Sequence, residues 1–289
     1  MAITKILISV MTYPSLSEKY FETVCTAGFR EDGTWIRIFP VPHRLLKDID
    51  GQKYHKWQWI EADLDQNPNH DDRPESYHIK NIDTLKTLDR IDIKGKPNWE
   101  LRLEWAKKNK KVYKSMNELL ELAKQNKLSL AVMKPTKILD LVCEKVDIDQ
   151  YKKYVEKRDR LEDKMNAEKN QLNLFESQED RDLNFQFAEK IPYKFRFSFL
   201  SEGDEKPRKL MVEDWETIML YRNEIMRGKT EAEACESVKN KYMEYVKERD
   251  VYFFLGTSYQ WQKKNAPDPY LIIGVFYPPK IEAHQMSLF

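Results

Sequence analysis

Glycine is scarce in this sequence: eight among 289 residues, none in a GxGxxG or GxxxxGK arrangement. A loop that cradles phosphate needs glycines so that backbone N–H groups can approach the anion closely. A P-loop NTPase and a Gly-rich dinucleotide site are therefore both excluded. Cysteine is scarcer still. Cys25, Cys143 and Cys235 are far apart and form no CxxC pair, so neither a disulfide framework nor a zinc knuckle is indicated, and reduced thiols in a cytoplasmic protein are expected. No apolar run nears the roughly 20 residues that span a bilayer, so no membrane partner is expected. The opening MAITKILISVMTYPS runs into Tyr13 and Pro14 without a small-residue cleavage site, and reads as a strand and not a signal peptide. An excess of one charge is also missing, since 49 Lys and Arg balance 48 Asp and Glu at a net +1. Bulk charge names no partner, and only a local patch can.

What is present is aromatic bulk, at 12% of residues, enough to fill real cores despite a modest apolar share. FETVCTAGF and TWIRIFPV read as two strands joined by REDG, whose Asp32-Gly33 is a tight-turn signal. In TWIRIF, Ile36 and Ile38 share one face, while Trp35 and Arg37 share the other. The stretch 47–96 is polar and holds a second aromatic-basic cluster, KYHKWQW. Two helices are predicted next: NWELRLEWAKKNKK after Pro97, and SMNELLELAKQN, which opens with a Ser115–Glu118 capping box. LSLAVMKP and KILDLVCEKVD return to strand character. From residue 144 the composition turns to mixed charge without Gly or Pro, which predicts a long exposed helix and a polar connector. YKFRFSFL, VYFFLGT and YLIIGVFY are strands, and EDWETIMLYRNEIM and EAEACESVKNKYMEYVKERD are helices, the latter with a Thr230–Glu233 capping box.

The expected fold is α+β: a β-rich domain with a helical insert at 1–148, a charged helical connector at 149–190, and a second β-rich domain at 191–284. "ETVCTAG…DGTWIRIFPV", "LSLAVMKP", "KFRFSF" and "FFLGT…YLIIGVFY", in that order, resemble the dual OB-fold domain (DuOB) proteins of prokaryotes. The pattern departs from the family at Ile38-Phe39-Pro40-Val41-Pro42, where a Pro-Val-Ser-like ending is usual. The resemblance implies two OB-like barrels and a nucleic-acid-binding role in settings of mobile DNA or antiviral defence. It implies no catalytic residues, and no cofactor is expected.

Barrels of that kind bind single strands with aromatic platforms flanked by cations. Trp35, Arg37, Phe39, His43 and Arg44 supply that mixture in one segment, and Lys53, Lys56 and Trp57 in the next. Arg196, Trp261, Lys263 and Lys264 supply it in the second domain. The competing reading is that the aromatics are core and the cations are solvated surface. NHDDRPESYH offers His70, Asp71, Asp72, Glu75 and His78 as conceivable metal ligands, but it reads more simply as an acidic loop, and no metal is expected. A nuclease or nucleotide-modifying enzyme, with a carboxylate site that the sequence does not pair, and a protein-only adaptor are the alternative functions.

Two pentamers stand apart. Gln171-Leu172-Asn173-Leu174-Phe175 and Gln285-Met286-Ser287-Leu288-Phe289 resemble the QLxLF peptide by which many bacterial replication and repair proteins dock onto the β sliding clamp. The glutamine amide offers both donor and acceptor. Each buried apolar anchor contributes about 1.5–3 kcal/mol before ordering costs. The rival reading places Leu161, Met165, Leu172 and Phe175 on the apolar stripe of a connector helix.

Overall fold

The computed structural model describes residues 3–46, 54–67, 69–92, 94–172 and 187–280. The first sheet contains β1 (Ile3–Met11), β2 (Ser15–Ser17), β3 (Phe21–Arg30), β4 (Trp35–Pro42), β5 (Gln58–Asp65) and β6 (Ser76–Arg90). Its pairings return to their start: β1 to β3, β3 to β4, β4 to β6, β6 to β5 and β5 to β1. All are antiparallel except β4–β6, which is parallel. The predicted turn at Asp32-Gly33 joins β3 to β4, with Gly33 at φ +88°. A Cβ there would also lie 2.5 Å from the Lys108 carbonyl oxygen, so both the backbone conformation and the close approach call for glycine. The polar stretch 47–96 hides two strands, β5 and the 15-residue β6. Ile60, Ala62, Leu64 and Leu85 face the inner core, and frequent polar residues between them mask the alternation.

Helix α1 (Lys96–Lys107) leads to β7 (Val112–Tyr113), α2 (Met116–Lys124), β8 (Leu130–Met133) and β9 (Lys137–Lys145). The long charged helix α3 (Ile148–Leu172) follows. Then come β10 (Tyr193–Leu200), β11 (Arg208–Met211), α4 (Trp215–Met226), α5 (Glu231–Glu248), β12 (Tyr252–Thr257), α6 (Tyr259–Lys263) and β13 (Tyr270–Phe276). These strands form a β11-β10-β9 sheet and a β13-β12-β8-β7 sheet, joined by a parallel bridge from Val212 to Ile272. Because β8 pairs with β12, β9 pairs with β10 and β7 lies along β8, the second domain begins near residue 112, not after residue 148 as the composition shift implied. The Thr230–Glu233 capping box forms in both directions. Ser115 stands at the N-cap of α2 without a side-chain cap bond.

Among the described residues three large apolar clusters organise the fold. Ile6, Ile8, Ile36, Ile38 and Ile60 fill the inside of the first sheet. Phe195, Phe197, Phe199, Phe253 and Leu255 fill the second domain with α2, α4 and α5. The third lies between them: Leu7, Val10, Phe29, Trp35 and Trp57 meet Leu130, Val132, Tyr252, Phe254 and Phe276. Strands β1, β8 and β12 thus serve one core with each face, which is why they read as unbroken apolar runs. A bulge between Ile8 and Val10 moves the alternation by one residue. Val10 therefore joins Leu7 at the seam, and Met11 joins Ile8 inside.

Cys143 of β9 and Cys235 of α5, 92 residues apart, form a disulfide, where the sequence predicted only reduced thiols. The packing of α5 on β9 brings them together, and no local spacing foretells it. Leu161 and Met165 of α3 pack on Phe21, so the helical stripe exists up to that point. Among the described residues no helix is long and apolar enough to cross a membrane.

Candidate functional site

The aromatic and guanidinium face of TWIRIF does not meet solvent. Trp35 is 6% exposed, with ring centroids 4.5 Å from Phe29 and 5.6 Å from Phe254. Trp57 is buried beside Phe276 at 5.3 Å, with the Arg102 guanidinium 5.1 Å above its ring. Both tryptophans are core because the outer face of the first sheet is covered by β8, β12 and β13. They cannot serve as stacking platforms. Arg37 is 2% exposed. It donates to Ser76 Oγ at 2.9 Å, Ser129 Oγ at 2.8 Å and the Ser129 carbonyl at 3.1 Å. Burial, and then the like charge of Arg73, lower its pKa from the usual guanidinium value.

Other predicted contacts are also structural. His43 Nδ1 lies 2.8 Å from the buried Glu22 carboxylate, whose other oxygen accepts the Ala188 N–H. Lys56 is paired with Asp214 and, at 3.3 Å, with Glu216. Burial alone would lower its pKa, but the two carboxylates outweigh that and raise it. Arg196 pairs with Glu144 across β10 and β9 at 2.9 Å. Lys53 and the side chain of Arg44 lie outside the described residues. So do Leu174, Phe175 and residues 285–289, while Gln171 and Leu172 end α3 and their side chains lie outside the description.

Phe39 survives as an exposed aromatic at 40%, and it borders two adjoining cavities at the seam. One, of about 470 Å³, is lined by Cys25, Arg37, Arg73, Thr257 and Tyr259 as well. The other, of about 510 Å³, adds Lys19, Tyr20, His70, Tyr77 and His78. Phe39, Arg73 and Tyr259 line both. Arg73 lies 5.3 Å over the Tyr259 ring, is held by Asp71 at 2.8 and 2.6 Å, and donates across the seam to the Thr257 carbonyl. The arginine comes from the loop between β5 and β6, and the tyrosine from α6 between β12 and β13. Gly256 lines the first cavity, and close packing calls for glycine there, since a Cβ would lie 2.7 Å from Ile273 Cδ1 and 3.4 Å from Arg37 Nη2. Trp261, 39% exposed, and Lys264 lie on and just after α6. Lys263 pairs with Asp72 at 2.9 Å and sits 5.5 Å from the Tyr259 ring.

Arg73 belongs to the stretch read as an acidic loop, and nothing in its neighbours marks it. The carboxylates weighed there for a metal are engaged: Asp71 by Arg73, Asp72 by Lys263, and Glu75 by Ser129. Among the described residues no three His, Cys, Asp or Glu are grouped to hold a metal ion.

Fold and site together define a two-domain α+β protein with an aromatic and cationic groove along the domain seam. The chain belongs to the family described as domain of unknown function DUF8757, which its residues 112–289 match. Residues 2–108 match a second, domain of unknown function DUF8758. The division between the two falls where β7 begins. No curated protein matches the chain.

Proposed function

We propose that this protein binds single-stranded nucleic acid along the seam and acts by recognition, without catalysis. The observation that carries this is the pair of adjoining cavities that share Phe39, Arg73 and Tyr259. Unpaired bases stack on aromatic faces while guanidinium and ammonium groups track phosphate, and a cation already poised over a tyrosine offers both. Each cavity lies within the ~300–1,000 Å³ of small-molecule sites. That volume suits single nucleotides and is too small for a duplex.

The pairing order supports an OB-like reading of both domains. In such barrels the second and third strands and the loops joining strands one to two and four to five bind oligonucleotides. Counting round the first sheet without β2, these are β3, β4 and the segments 12–20 and 66–75, which supply Lys19, Tyr20, Phe39 and Arg73 to the groove. In the second domain, β8 and β9 would act as one bent first strand, and α6 would fall in the loop before the last strand. Recruitment to a bacterial β sliding clamp rests on the two pentamers alone. It predicts clamp binding that is lost when Leu174 and Phe175 become alanine and residues 285–289 are removed.

The test is anisotropy of labelled oligothymidylate and of a matched duplex over a salt series. The expected results are tighter binding to the single strand, affinity that falls with salt at a slope of about −0.7 per phosphate contacted, and weaker binding by Tyr259→Ala. Equal affinity for duplex and strand, or a Tyr259→Ala variant that binds like wild type, refutes the proposal.

A further inference from the structure

Beyond Tyr77 the seam opens into a third cavity of about 550 Å³, lined by Arg30, Trp35, Glu75, Tyr77, Lys110 and Tyr113 among others. Tyr77 lines this cavity and the 510 Å³ cavity alike, so the two adjoin. The walls of the third cavity are rich in donors that lack charged acceptors. Lys110 Nζ donates to the Trp105 and Lys108 carbonyls at 2.7 and 2.8 Å and sits 4.0 Å over the Phe29 ring. Among the described residues no carboxylate lies within the 4.0 Å of an ion pair to Lys110 or to Arg30.

The acids nearby are already committed. Glu75 accepts from the Ser129 N–H at 3.1 Å and hydroxyl at 2.6 Å, and Asp32 accepts from the Thr34 N–H and hydroxyl. Lys111 is held by Glu118. The Arg30 guanidinium lies 4.8 Å over Tyr77, which leaves its Nη1 on Thr34 Oγ1 and the Trp35 carbonyl. Two aromatic rings, an ammonium and a guanidinium that both lack a carboxylate partner thus share one chamber.

We propose that this chamber is a nucleotide site, in which a phosphate meets Lys110 and Arg30 and a base packs on Tyr77 and Tyr113. The phosphate can come from a free mononucleotide or from a strand that continues past Tyr77, and the second source rests on the groove described above. Anion binding would also draw a proton onto Lys110. Burial first, and the like charge of Lys108 second, push its pKa down to about 7 against the opposing pull of Asp32. Arg30, Lys111, Glu75, Tyr77 and Tyr113 are the other ionisable groups around the chamber.

The experiment measures wild type, Lys110→Met and Arg30→Met as full chains against oligothymidylates of increasing length, thymidine monophosphate and inorganic phosphate. Arg30 lies on β3, so Arg30→Met reports even if Lys110→Met loosens the 105–110 segment. The expected result is a loss of roughly tenfold or more for Lys110→Met and a smaller loss for Arg30→Met, confined to long strands or to the mononucleotide. Wild-type affinity should also fall between pH 7 and 9 more steeply than that of Lys110→Met. If both variants match wild type for every probe while Tyr259→Ala still weakens strand binding, the chamber is not a ligand site and the groove reading stands. If no strand binds but the monophosphate binds in a Lys110-dependent way, the groove reading falls and the chamber stands as a free-nucleotide site. Phosphate that binds wild type and both variants equally overturns the assignment.

Discussion

Replacing Arg37 with methionine separates a structural arginine from a ligand-facing one. The guanidinium makes three hydrogen bonds, all to neutral acceptors on Ser76 and Ser129, and these tie β4 to the Ser129 segment just before β8. Bonds from a charged donor are worth about 1.5–3 kcal/mol each. Not all of that is lost, because the Ser129 hydroxyl still donates to Glu75 and the Ser129 carbonyl still accepts the Thr257 N–H. Methionine also keeps much of the apolar stem. The balance is a loss of about 1–3 kcal/mol, since no charge is left unpaired and removing the guanidinium also relieves its burial and the repulsion by Arg73, against a whole-domain stability of about 5–15 kcal/mol. Urea unfolding followed by tryptophan fluorescence reads it directly: the midpoint falls while the slope stays constant. A loss below about 1 kcal/mol would mean that Arg37 is not locked at the seam, and the burial argument would fail.

Phe254→Ala removes a ring that lies within 6.4 Å of Phe29, Trp35 and Trp57 of the first domain, and should cost about 3–5 kcal/mol. Because the seam is one shared core, the two domains should lose stability together, and a separate, unshifted first-domain transition would contradict this. Phe39→Ala should change stability by less than about 0.5 kcal/mol yet weaken oligothymidylate binding by about 5- to 150-fold, the equivalent of one stacked base. Arg196→Ala, whose residue lines neither groove cavity, should leave that binding unchanged. With Lys110 held down to about 7 and an unfolded lysine near 10.4, the unfolded chain binds more protons between those values. Stability therefore rises with pH across that window, and Lys110→Met should flatten the rise in a pH series of urea midpoints.

Much of the architecture was legible from local chemistry. Asp32-Gly33 marks its turn, Thr230 and Glu233 mark the start of α5, and alternation marks β4 and β10. Strands β5 and β6 were hidden because frequent polar residues on their outer faces blur the period. The disulfide between Cys143 and Cys235 was hidden because it joins elements 92 residues apart. Of the residues predicted for the site, Phe39 and Arg37 line the groove and Lys263 sits beside its Tyr259 ring, while Trp35, Trp57, Lys56 and His43 went to packing and buried ion pairs.

The difference lies in the second face of each strand. Periodicity states that Trp35 and Arg37 share a side opposite Ile36 and Ile38, and in that it is correct, since the period is a property of the extended backbone. What that side meets depends on another part of the chain. Here it meets β8, β12 and β13, more than 90 residues away, and a face that alternation alone would leave to solvent becomes the seam. The same long-range docking brings Arg73 over Tyr259, a contact between residues 186 positions apart that no local pattern carries.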